Sequence, residues 1–61
     1  DKMYKKRLQN LFKLAYAYEK ANMLEESIQL FKETLTRYTN FPQKEEVRKH
    51  VRQLMEKEKA N

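Results

Sequence analysis

Ser27 is the only serine of this 61-residue chain and His50 the only histidine, and the chain has no cysteine. A hydrolase or transferase needs a positioned nucleophile, a base and donors for a developing oxyanion. Ser27 falls inside an apolar-periodic segment, at a position where a helix packs. No second histidine and no cysteine stands four residues from His50, and there is no glycine to build a phosphate-binding loop. Without cysteine the chain forms no disulfide and no thiolate metal site. It is therefore expected not to be an enzyme, and to need no metal or cofactor. His50 lies three residues after Val47 and one before Val51, on the flank of an apolar stripe. It reads as a boundary residue partly covered by a neighbour.

Two other constellations can recognise a partner. Phe12 and Tyr16 are four residues apart, so on a helix they share a face. They stand off the stripe formed by Leu11, Leu14, Ala15 and Tyr18, which a helical hairpin requires. Aromatic side chains of this kind anchor interfaces. The second constellation is basic. Formal net charge is +5, which favours an acidic partner such as nucleic acid or an anionic surface. Lys2, Lys5, Lys6 and Arg7 near one end, and Arg48 and Arg52 near the other, are its candidate phosphate contacts. Consecutive residues on a helix point in different directions, however, so Lys5, Lys6 and Arg7 do not make one patch. The nine acidic residues are also interspersed with the basic ones.

The elements that must position these residues are helical. The chain has no glycine and one proline, and Lys, Glu, Leu, Gln, Arg and Ala, all good helix formers, dominate it. The fold class is all-α: an antiparallel hairpin followed by a third helix, in one small domain. Helix one is predicted over 2–21, with Tyr4, Leu8, Leu11, Ala15 and Tyr18 recurring every three or four residues and Leu14 and Ala21 widening the stripe. Helix two is predicted over 24–38, with Leu24, Ile28, Phe31 and Leu35 on one face and Ser27 and Thr34 beside them. Helix three is predicted over 42–59, opened by Pro42 at its first position and carrying Val47, Val51, Leu54 and Met55. Asn22 can turn the chain because asparagine tolerates the left-handed conformation. Met3, Met23 and Met55 read as core or boundary fillers. No apolar run is long enough to span a membrane. The lack of cysteine fits cytoplasm and a bacterial envelope equally.

The segment YEKANMLEESIQLFKETL resembles the turn and second helix of a tetratricopeptide repeat, a helix-turn-helix unit with a fixed pattern of large and small residues. Laid on this chain, the large positions fall on Leu11, Leu14, Tyr18 and Phe31, and the small ones on Ala15, Ser27 and Thr34. The match covers 9–40, about half the chain. Thr39 stands where the family has a proline, and Pro42 follows three residues later. The run RYTNFPQKEEVRKHVRQL is similar to a longer-turn variant found in bacterial envelope proteins. The resemblance implies a protein–protein interaction or scaffolding module. It implies a groove holding Gln9, Phe12, Lys13, Tyr16, Glu19 and Lys20, with Phe12 and Tyr16 as anchors and the polar residues as rim. Aromatics stand where chaperone-binding members clamp a carboxylate, so such a clamp is not expected. Arg52 falls where a second repeat needs a small residue, so helix three resembles a cap. One hairpin and a cap bury their faces poorly compared with an array. The chain is therefore expected to be a piece of a larger protein, or to meet a second copy, a neighbouring repeat, a peptide or a partner helix.

Overall fold

The computed structural model describes residues 2–60, with the side chain of Lys2 outside the description. Three helices follow one another: α1 (Lys2–Lys20), α2 (Leu24–Arg37) and α3 (Lys44–Ala60). α2 is central. It packs on α1 and on α3, whereas no Cα of α1 lies within 8 Å of one in α3 among the described residues. The result is a slab of about 40 × 20 × 14 Å.

Small residues set the closeness of α1 and α2. Ala15 and Ser27 are both fully buried. The Ser27 hydroxyl donates to the Ala15 carbonyl oxygen at 2.7 Å, so the polar group that a close contact traps is satisfied. Thr34, also buried, donates to the Leu30 carbonyl within its own helix at 2.7 Å. Leu8, Ala15, Leu24, Ile28, Phe31, Phe41, Val47, Val51 and Leu54 form one continuous core. The apolar stripe of α3 thus reaches the same core as the hairpin.

The first turn is a Schellman motif. Asn22 has φ 62°, in the left-handed region. Met23 N–H donates to Tyr18 O at 2.8 Å and Asn22 N–H to Glu19 O at 2.9 Å, the paired bonds that satisfy the last carbonyls of a helix. α1 therefore ends at Lys20, one residue before the expected end, because Ala21 is already the cap. At the second turn Tyr38 N–H still donates to Thr34 O at 2.9 Å, but its own backbone is extended, at φ −118° and ψ 99°, which ends α2 at Arg37 rather than at 38.

Three expectations are corrected. Pro42 does not open α3: Lys44 N–H donates to Phe41 O at 3.2 Å, which places Pro42 second in a tight turn, a position its fixed φ also suits. Leu14 is 47% exposed rather than packed inside the hairpin, because Leu8 and Ala15 carry the inward face of α1. Met3, Met23 and Met55 are exposed rather than core or boundary fillers. Leu11, Tyr18 and Leu35 lie half-buried at the edges of their stripes.

Candidate functional site

The separation of α1 from α3 leaves a groove between them. It has a volume of about 1050 Å3 and is lined by Gln9, Phe12, Lys13, Tyr16, Ala17, Glu19 and Lys20 from α1, with His50 and Lys57 from α3. The structure thus brings all six residues implied by the resemblance to one surface. They recur every three or four residues along α1, which sets them on one side of a straight helix.

Phe31 lies beneath the rings that line the groove. It is fully buried, and three rings converge on it. Tyr16 meets it at 5.1 Å between centroids with planes at 77°. His50 meets it at 5.5 Å and 82°, and Phe12 at 6.2 Å and 37°. Both edge-to-face contacts have the geometry aromatic quadrupoles favour. Phe12 also meets Phe41 at 5.8 Å. Phe41 is a loop residue buried in the core, so Phe12 is held from two sides. Tyr16 is held from below and beside, its ring 5.3 Å from His50, yet it stays 47% exposed. The two aromatics therefore divide their work: Phe12 is the inner edge of the core, and Tyr16 is the surface the groove presents.

Glu19 and His50 meet across the groove. His50 Nε2 lies 2.6 Å from Glu19 Oε1, and each side chain is 26% exposed. An ionised carboxylate only accepts, so the imidazole donates through Nε2. This contact joins α1 to α3 where their backbones do not meet. Glu19 is consequently a clasp rather than a free rim group. The remaining charges on the rim are Lys13, Lys20 and Lys57, which form no ion pair among the described residues.

His50, Ala17 and Lys57 belong to this surface and were not expected there. His50 carried a visible signal, its place on the flank of the α3 stripe. Lys57 carried none, because nothing local marks which side of α3 faces α1.

The basic residues are not gathered on one surface: Lys5, Lys6 and Arg7 belong to α1, and Arg48 and Arg52 to α3. Lys6 and Arg7 are exposed on α1. Lys5 lines a second hollow with Tyr4, Phe41 and Glu46, near the stacked rings of Tyr4 and Tyr38, 6.4 Å apart. Arg48 lies 3.6 Å from Glu45 on its own helix, and Arg52 is exposed one turn further on. The side chain of Lys2 lies outside the described residues. No group of three histidine, aspartate or glutamate side chains is placed to hold a metal among the described residues, and no helix there is long and apolar enough to cross a membrane.

No family model matches the chain, and comparison with curated proteins and with solved structures yields no match.

Proposed function

We propose that the chain is a non-enzymatic protein-interaction module that docks a peptide or a partner helix in the groove between α1 and α3. The observation that carries this reading is Tyr16, a large ring packed on the core through Phe31 yet half exposed to the groove. A side chain already fixed by its neighbours loses little freedom on binding, so more of its contact appears as affinity. The ring is flanked by Phe12 and Ala17 for apolar contact and by Gln9, Lys13 and Lys20 for a polar rim, the usual anatomy of a docking site. The resemblance to tetratricopeptide repeats supports the same reading, since their concave faces receive extended peptides and helices.

The test is a display selection of peptides against the folded domain, followed by an NMR titration with the winners. Amide shifts centred on Gln9, Lys13, Tyr16 and Lys20 are expected. Shifts confined to Lys5, Lys6, Arg48 and Arg52, with binding lost on adding salt, would point instead to a basic surface that reads phosphate or other anions.

A further inference from the structure

A second pair of surfaces lies away from the groove, and their charges are opposite. On α3, Lys44, Arg48, Arg52, Met55 and Lys59 recur every three or four residues, so they share one flank. Val47, Val51 and Leu54 point inward, and His50 and Lys57 face the groove. At 100° per residue the basic stripe follows on the other side of the buried one. Met55, 42% exposed, is its apolar centre. Among the described residues only Arg48 of this stripe forms an ion pair, with Glu45, in an exposed contact of the kind that contributes little; Glu56 stands one turn after Arg52 without pairing to it.

The complementary surface lies between α1 and α2, where no residue of α3 reaches. It is a hollow of about 540 Å3 with Leu14, Tyr18 and Leu30 as apolar floor and Glu25, Glu26 and Glu33 as rim. None of the three glutamates forms an ion pair among the described residues. The same chain therefore presents a basic ridge with one apolar side chain on one flank. On another it presents an acidic hollow with an apolar floor.

We infer that copies of this chain associate head to tail, the α3 ridge of one seated in the α1–α2 hollow of the next. Met55 meets Leu14 and Leu30, and Arg48 and Arg52 meet Glu26 and Glu33. Such a contact is heterologous, since the two patches differ, and it leaves a ridge and a hollow free at the ends. Neither surface uses Phe12 or Tyr16, so the groove stays open in the assembly. The total surface of one copy is 5045 Å2, and a contact made by one ridge falls in the small, transient class.

Sedimentation equilibrium at about 0.1–1 mM protein suits an association of that strength. The average mass is expected to rise with concentration in low salt and to fall toward the monomer when ionic strength rises to about 0.5 M. A charge-swap pair makes the test specific. Glu26→Lys with Glu33→Lys, and separately Arg48→Glu with Arg52→Glu, should each abolish association. Mixing the two variants should restore it, because each then offers the other a complementary patch. All four positions are exposed, and far-UV circular dichroism checks that the helices persist. If a charge variant unfolds, Met55→Gln replaces it and should weaken association at least tenfold. A monomer at every concentration in low salt overturns the inference. So does association that survives either swap, or a mixture that stays monomeric. Tyr16→Ala should leave association unchanged; its loss in that variant would place the contact in the groove instead.

Discussion

Tyr16 stands edge-to-face on Phe31, ring centroids 5.1 Å apart and planes at 77°, with the Phe31 ring fully buried and the Tyr16 ring half exposed. One contact thus links the core to the surface proposed for recognition. Whatever fixes Phe31 also fixes the ring that a partner would touch.

Phe31→Ala should be among the most damaging single changes. It removes a fully buried ring and the support for Tyr16, Phe12 and His50 together. A loss of about 3–5 kcal/mol is typical for such a deletion, which is most of the stability of a domain this small. Urea unfolding followed by circular dichroism should show little or no cooperative transition. A variant that unfolds like the parent would show that Phe31 is not the centre of the core.

At Ser27 size matters more than polarity. Ser27→Ala keeps the close approach of α1 and α2 and loses one hydrogen bond, the hydroxyl's to Ala15, at about 0.5–1.5 kcal/mol. Ser27→Leu forces the helices apart at a fully buried position and should cost more, about 1–3 kcal/mol or beyond. Equal midpoints for the two variants in urea would contradict this ordering.

Asn22 holds the left-handed turn at φ 62°. Asn22→Gly should leave stability unchanged or raise it slightly, because glycine takes this conformation without steric cost. Asn22→Val should lose about 1–2 kcal/mol, the penalty of a left-handed residue with a branched side chain. Thermal unfolding of the pair checks the sign. A valine variant as stable as the glycine one would mean that the Schellman bonds are not what ends α1.

The clasp between Glu19 and His50 should act on α3 more than on the whole domain. The pair is partly exposed, so Glu19→Gln should cost less than about 1 kcal/mol globally. Hydrogen exchange is the better probe: α3 amides around His50 should open faster in the variant, while those of α2 stay protected. Uniform acceleration along the chain would argue against a local clasp.

The helices, their order and the antiparallel hairpin were legible because each rests on local periodicity, and Asn22 because one residue type suits one backbone region. Phe12 and Tyr16 stood out for the same reason, as a pair outside the stripe. What stayed hidden depends on contacts far apart in sequence. Leu14 and Ala15 are neighbours in an equally apolar run, and only the packing against Ser27 decides that Ala15 goes inward and Leu14 outward. Lys57 joins the groove only because α3 lies across α2 at one particular rotation. Pro42 suits both a first helical position and the second position of a turn, so its type alone did not separate them.

Phe12 is a poor test of recognition, since it packs against Phe31 and Phe41 and its removal would disturb the fold. Tyr16 is the clean position. The decisive measurement is the affinity of a display-selected peptide for the parent and for Tyr16→Ala, by calorimetry, with circular dichroism confirming that both are folded. Docking through the groove predicts binding at least tenfold weaker in the variant, about 1.4 kcal/mol. Unchanged affinity in a folded Tyr16→Ala domain would contradict it.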